Sequence, residues 1–216
     1  MDFQHISNPQ WGTAISSPAV NELKELIESD PKLLKQSIEL FTQIRPGVDS
    51  IFNNILSLLG ALDNVIQGAP AWSLTAYSKG CAGCSITNLL SLYLFTSAGY
   101  EIFSNAKVND VLHNVLRGWA KLLSLSDSTD VLTDKPNGWF SAEALAAMPD
   151  FEKTFVCDSS QPHLVFKSWD AFFTQQLCPG ARPITEPYNH SVIVSPCDST
   201  TFRIHLSHYF RNKSTK

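Results

Sequence analysis

Charge is scarce in this sequence and none of it is gathered: 16 Lys and Arg stand against 20 Asp and Glu in 216 residues, a formal net charge of -4. Without a basic stripe there is no electrostatic footprint for a nucleic acid. The single basic cluster, Arg211, Lys213 and Lys216, falls at the end of the chain and has the character of a solvated tail. Long apolar runs are missing too. The most apolar stretch, Ile86 to Phe95, is broken by Thr87, Asn88 and Ser91 and is too short to span a bilayer. The start, Met1-Asp2-Phe3-Gln4-His5, has neither the basic residues nor the apolar block of a signal peptide. Five cysteines, an odd number in a chain of this length, do not make a disulfide framework and fit a reducing compartment. The expectation is a cytoplasmic protein with no transmembrane segment and no nucleic-acid partner.

Several catalytic signatures are absent as well. There is no Gly-x-x-x-x-Gly-Lys loop, no Gly-x-Ser-x-Gly elbow, no His-Glu-x-x-His pair and no Gly-x-Gly-x-x-Gly turn. Phosphate cradling, elbow hydrolysis, zincin chemistry and dinucleotide binding therefore have no sequence support.

What the chain does have is 44% hydrophobic and 11% aromatic residues, enough for a sizeable core. Its first two thirds are patterned as helices. Ser17-Pro18 starts one whose face is Val20, Leu23, Leu26 and Ile27, and Asp30-Pro31 starts a second with Leu34, Ile38 and Phe41. A third, from about Asp49 to Gln67, spaces Ile51, Ile55, Leu58, Leu62 and Ile66 by threes and fours before Gly68-Ala69-Pro70. Ala71 to Ser85 has no period and is expected to be a loop packed over something. Ile86 to Thr96 resembles a buried helix, and Lys107 to Leu125 carries the widest apolar stripe of the chain.

After Ser126 the pattern changes. A polar loop precedes a short helix capped by Ser141, and Ser168 caps another predicted over Trp169 to Leu177. Ser191 to Ser195 is β-branched, and Thr201 to Leu206 alternates in the manner of a strand. These features predict an α+β chain: an all-helical domain over 1–150, the incomplete start of a β-rich domain over 151–206, and a basic disordered tail over 207–216.

Among polar candidates, Cys81-Ala82-Gly83-Cys84 has the spacing of a redox or zinc half-site. No second pair accompanies it, since Cys157, Cys178 and Cys197 are scattered, so no metal is expected and two small residues at a helix approach account for it. His113 lies within the Lys107 to Leu125 helix as a surface or boundary residue. Arg182, in Pro179-Gly180-Ala181-Arg182-Pro183-Ile184, is held by a turn and an Arg-Pro pair; it either anchors its own loop or meets substrate. Asp198 follows Ser195-Pro196-Cys197 between the two predicted strands.

Three stretches, Phe166-Lys167-Ser168-Trp169-Asp170-Ala171-Phe172-Phe173-Thr174, Pro179-Gly180-Ala181-Arg182-Pro183-Ile184 and Val194-Ser195-Pro196-Cys197-Asp198, resemble in order and spacing the start of the catalytic domain of the phosphatidylserine decarboxylase family. The upstream part is similar to the helical domain of its fungal branch, which includes soluble tryptophan decarboxylases. Ala69-Pro70, Thr96-Ser97-Ala98-Gly99-Tyr100, Val108-Asn109, Gly118-Trp119, Gly138-Trp139-Phe140 and Phe151-Glu152-Lys153-Thr154-Phe155 carry that match. The resemblance implies a carboxy-lyase whose cofactor is a pyruvoyl group made by self-cleavage at a Gly-Ser step, the electron sink when CO2 leaves. It implies that Asp198 is the acid of the processing triad and that the substrate is an amino acid or phosphatidylserine, with Arg182 the candidate substrate contact. None of the ten glycines is followed by Ser, however, and 18 residues remain after Asp198. The expectation is therefore a decarboxylase-family chain that ends before its pyruvoyl-forming serine, carries no cofactor itself, and is inactive without a C-terminal catalytic chain. The alternative is a non-catalytic helical binding or regulatory module with a vestigial decarboxylase segment.

Overall fold

The computed structural model describes residues 15–44 and 52–194. The chain divides into two compact units, Met1–Cys178 and Pro179–Lys216. In the first, α1 (Pro18–Ser29), α2 (Pro31–Thr42), α3 (Ile55–Val65), α4 (Leu74–Ser78), α5 (Ser85–Leu94), α6 (Ser97–Phe103) and α7 (Ala106–Leu123) are followed by the short α8 (Ala142–Ala147), α9 (Phe151–Thr154) and α10 (Trp169–Phe173).

The helix starts are set by local chemistry. Pro31 occupies the first turn of α2, and the Asp30 carboxylate accepts from the Lys32 and Leu33 amides at 2.9 and 3.2 Å. Asn105 does the same for α7 through Lys107 and Val108, and Ser141 and Ser168 cap α8 and α10. At α1 the expected cap fails: Ser17 makes no side-chain capping bond. Asp63 of α3 takes over, with one oxygen accepting from the Ser17 amide at 2.8 Å and the other from the Ser16 amide and hydroxyl at 3.0 and 2.8 Å.

Two apolar clusters follow. The first joins α1, α2, α3, α5, α6 and α7 through Val20, Leu23, Ile27, Leu33, Leu40, Leu58, Leu62, Tyr93, Ile102, Val108 and Val115. The second is largely aromatic: Trp72, Trp139, Phe151, Phe166, Trp169 and Phe172 gather with Leu123 and Leu132. Trp119 on α7 packs against both, and its indole N–H donates to the Gly68 carbonyl at 2.9 Å. Burial of this much apolar surface at about 25 cal/mol per Å2 is the main force holding the unit together.

Four expectations need correction, the first being that Ala71 to Ser85, expected to be a loop, contains α4. The described residues contain no β-strand; the sole β feature among them is an isolated antiparallel bridge between Phe155 and Leu177, so the fold is helical and not α+β. The reason lies in where the aromatics go: Phe172, within the 151–206 stretch read as the start of a β-rich domain, is 3% exposed and packs edge-on to Phe140 and Phe166 within the helical unit's second cluster. In the predicted strand Ser191 to Ser195, the described residues follow a turn closed by Val192 N to Asn189 O at 3.0 Å, and Ile193 is 96% exposed with no strand beside it among the described residues. Thr201 to Leu206, the other predicted strand, lies outside the described residues.

The predicted face of α2 is also displaced by one position. Leu33, Gln36, Ser37 and Leu40 are the buried side, and Leu34 and Ile38 are 38% and 64% exposed. Two apolar stripes compete on this helix, and tertiary packing against α1 and α6 selects the one containing Ser37, whose hydroxyl is satisfied by the Leu34 carbonyl at 2.7 Å. Finally, α10 ends at Phe173, short of Leu177, because residues 174–178 leave the helix to form the bridge: Val156 N donates to Gln176 O and Cys178 N to Thr154 O, each at 2.8 Å.

The indole groups of the second cluster differ in one useful respect. Trp139 donates to the Pro70 carbonyl at 2.7 Å in a buried setting, whereas the Trp72 indole N–H is buried without a partner. Trp139→Phe strands a buried carbonyl and Trp72→Phe strands nothing. The first should therefore cost about 1–3 kcal/mol more than the second. Urea midpoints of the two variants check this, and equal losses would show that the Pro70 bond contributes no net stability.

Candidate functional site

The sequence-predicted site residues are not brought together among the described residues. Arg182 is exposed in the second unit, just after Gly180, whose φ of +77° makes the turn, and its Nη1 donates to the Ala181 carbonyl at 3.3 Å. Asp198 lies outside the described residues. His113 is exposed on α7. No group of three or more His, Cys, Asp or Glu side chains that could hold a metal occurs among the described residues.

An open groove of about 530 Å3 runs between α1 and α7 in the first unit. Glu22, Glu25 and Asp110 line it against one cation, Lys107, with Leu26 and Val111 as its apolar floor. It holds no nucleophile and base in contact, so by itself it can attract a positive charge but offers no acid–base chemistry.

The polar geometry of the first unit is concentrated around the aromatic cluster. Ser128, buried beneath it, donates to the Leu123 or Leu125 carbonyl at 2.8 and 2.6 Å and accepts from the Trp169 amide at 2.9 Å, which fixes the start of α10. His163 Nδ1 lies 2.7 Å from the Leu132 carbonyl and therefore carries the proton there. This contact accompanies an unusual backbone: His163, Leu164 and Val165 all have positive φ, at 53°, 53° and 80°. No periodicity or turn signal in Gln161-Pro162-His163-Leu164-Val165 announces that conformation.

Among the described residues, three groups are shifted from their ordinary values. Burial raises the Cys157 thiol, with Glu152, Cys178 and Asp158 adding to the effect. Hydrogen bonds from Ser160 hold the exposed Asp158 carboxyl below the usual range, and the Asp150 carboxylate, 2.5 Å from Lys153 Nζ, raises that ammonium. These are local loop contacts, not an acid–base pair facing a cleft.

The motif glycines acquire a geometric meaning. A methyl group added at Gly99 would sit 1.9 Å from the Tyr93 carbonyl oxygen, and at Gly138 it would sit 2.1 Å from that of Thr133. At Gly83, whose φ is +77°, it would meet the Trp169 ring at 3.2 Å. Gly118 has open space. Of the segments that resemble the fungal helical domain, those around Gly99 and Gly138 are thus close-packed corners of the first unit, and that around Gly118 is not.

Comparison with known proteins gives the same family. A family model described as phosphatidylserine decarboxylase matches residues 17–148, which is more than half of the chain. Decarboxylase iboD of Amanita muscaria is 41% identical over 123 residues, covering 54% of this chain and 35% of that protein. The L-tryptophan decarboxylases of Psilocybe cubensis and Psilocybe cyanescens are 26% and 25% identical over 199 residues, covering 86% of this chain and 43% of each relative. The chain therefore spans between about a third and somewhat under half the length of these curated relatives. With its helical unit matched over 17–148, the chain belongs to the phosphatidylserine decarboxylase family.

Proposed function

We propose that this chain is the helical amino-terminal part of a decarboxylase that removes CO2 from the α-carboxyl group of an amino acid, and that its 216 residues do not catalyse the reaction alone. The observation that carries the reading is the family match over residues 17–148, the stretch that builds most of the first unit. A free aromatic amino acid is favoured over phosphatidylserine, because the two relatives aligned over 86% of this chain are named for tryptophan. No helix among the described residues is long and apolar enough to cross a membrane.

The family's pyruvoyl group does not fit the residues present. Its formation requires a Ser after a Gly, and the ten glycines are followed by Thr, Val, Ala, Ala, Cys, Cys, Tyr, Trp, Trp and Ala. The chemistry thus falls to a catalytic segment bearing a Gly-Ser step, and the role of this chain is to fold the scaffold on which that segment works. Arg182 and Asp198 belong to the same proposal, as a substrate contact and as the acid of the processing triad.

Expression of the 216-residue chain, followed by intact-mass measurement and assay of amine release from tryptophan and from phosphatidylserine vesicles, tests this. The expected result is an uncleaved mass and no turnover, with tryptamine appearing when the chain is expressed in one polypeptide with a Gly-Ser-bearing segment read from its own transcript. Cleavage of the 216 residues to give a pyruvoyl terminus would sink the inactive-scaffold reading. Amine release from phosphatidylserine in preference to tryptophan would reverse the substrate choice.

A further inference from the structure

We propose that Cys81 and Cys84 form a dithiol–disulfide couple, a modification site that exchanges with low-molecular-weight disulfides such as oxidised glutathione. The two residues are the ends of one tight turn between α4 and α5: the Cys84 amide donates to the Cys81 carbonyl at 3.1 Å, and Gly83 in the third position has a φ of +77°. That combination is a type II β-turn, which keeps its first and last Cα atoms within 7 Å. A disulfide requires a Cα separation of about 4.4–6.8 Å, so the backbone already holds the pair in range. Both cysteines are free thiols in the structure.

The two positions have unequal access, which sets the order of events. Cys84 is exposed, and Cys81 is half-buried with its thiol directed at the Ala76 carbonyl, 3.3 Å away. The Cys84 thiolate attacks one sulfur of glutathione disulfide and releases one glutathione. The Cys81 thiolate then attacks the Cys84 sulfur of the mixed disulfide and releases the second. Two protein thiols are oxidised to one disulfide, one glutathione disulfide is reduced to two thiols, and the two protons pass from the protein thiols to the departing glutathione thiolates.

The remaining described cysteines are poorly placed for the same reaction. Cys157 and Cys178 flank the Phe155–Leu177 bridge, whose register sets Cys157 opposite Gln175 and Cys178 opposite Thr154. No backbone hydrogen bond among the described residues closes that pair into one tight turn, as one does for Cys81 and Cys84. Burial, with Glu152, Cys178 and Asp158 adding to it, also raises the Cys157 thiol above its ordinary value. The turn, by contrast, lies against the aromatic cluster, since Gly83 faces the Trp169 and Trp139 rings. Oxidation thereby closes the α4–α5 connection directly beneath the start of α10.

The test is a redox titration of the full 216-residue chain in glutathione buffers, trapped with N-ethylmaleimide and mapped by peptide mass, with tryptophan fluorescence recorded in parallel. The expected product is a Cys81–Cys84 peptide lighter by two hydrogens than its dithiol form. It should be half-formed at a buffer ratio at least about tenfold more reducing than that which modifies Cys157 or Cys178, with quenched emission from the adjacent indoles. In Cys81→Ser the exchange should stop at a glutathione adduct on Cys84. A wild-type chain that ends as that adduct, that pairs Cys81 or Cys84 with another cysteine, or that keeps both alkylated while Cys157 or Cys178 is modified would overturn the proposal.

Discussion

Gly99→Ala is expected to destabilise the first unit by about 3 kcal/mol or more, although the same change in an open helix stabilises it. Gly99 lies in the first turn of α6, where Thr96 caps the helix by accepting from the Gly99 amide at 2.9 Å while its hydroxyl donates to the Tyr93 carbonyl at 2.9 Å. That carbonyl is the oxygen an added methyl would meet at 1.9 Å, and the Tyr93 carbonyl carbon would lie at 2.8 Å. Neither contact is the far end of a flexible side chain. Relief requires α5 and α6 to separate, which pulls on the buried Tyr93 ring and on the Gln43 side chain that accepts from the Ala98 amide at 2.9 Å. Gly118→Ala is the internal control: nothing lies within 4 Å of its missing methyl, and it should gain roughly 0.5–1 kcal/mol from helix propensity. Urea denaturation of both variants checks the pair. Similar behaviour of the two would show that the α5–α6 corner is loose enough to accept a side chain. The contrast also separates two kinds of motif glycine that look alike in the sequence.

The legibility of the fold followed the range of the interactions involved. Helix starts marked by Asp30-Pro31, Ser141 and Ser168 depend on neighbours two or three residues away, which the sequence displays, whereas the Asn105 cap of α7 was not read from it. The apolar face of α7 was equally plain, since Val108, Val111 and Val115 repeat at helical spacing and are buried. The choice of face on α2 was not, because Leu33/Leu40 and Leu34/Phe41 are each spaced by seven and only the partner helices decide between them. The sheet expectation failed for a similar reason: Phe172 is equally suited to a sheet or to an aromatic cluster, and Trp139, Phe140, Phe151 and Phe166 of the same unit are what it meets. Of the candidate site, the motif order pointed to the family that the comparison returned, but Arg182 lies in the second unit and Asp198 outside the described residues.

Asp63→Ala is the second change expected to have a large effect, about 3 kcal/mol, and it comes from an acid that carried no sequence signal at all. Asp63 is 4% exposed near the end of α3, 46 and 47 residues from its partners Ser17 and Ser16. Its carboxylate accepts from two amides and one hydroxyl, and those amides stand at the amino end of α1, where a helix carries partial positive charge. Removing it leaves two amide donors without their acceptor and takes away the negative group at that end of α1, with hydrogen bonds to a charged acceptor worth about 1.5–3 kcal/mol each before relaxation. Asp63→Asn keeps the volume and one accepting oxygen, but turns an amide N–H toward a donor, so it should cost about half as much. Ser16→Ala removes only the hydroxyl bond and should cost about 1 kcal/mol. The graded order Ala, Asn, then Ser16→Ala, read from denaturation midpoints and from protease cutting near Ile15, is the signature of a carboxylate serving as the missing cap. Equal losses for Asp63→Ala and Asp63→Asn would instead mean that charge alone matters. A loss below that of Ser16→Ala would mean that α1 is held by its apolar face, Val20, Leu23 and Ile27, with no need of Asp63.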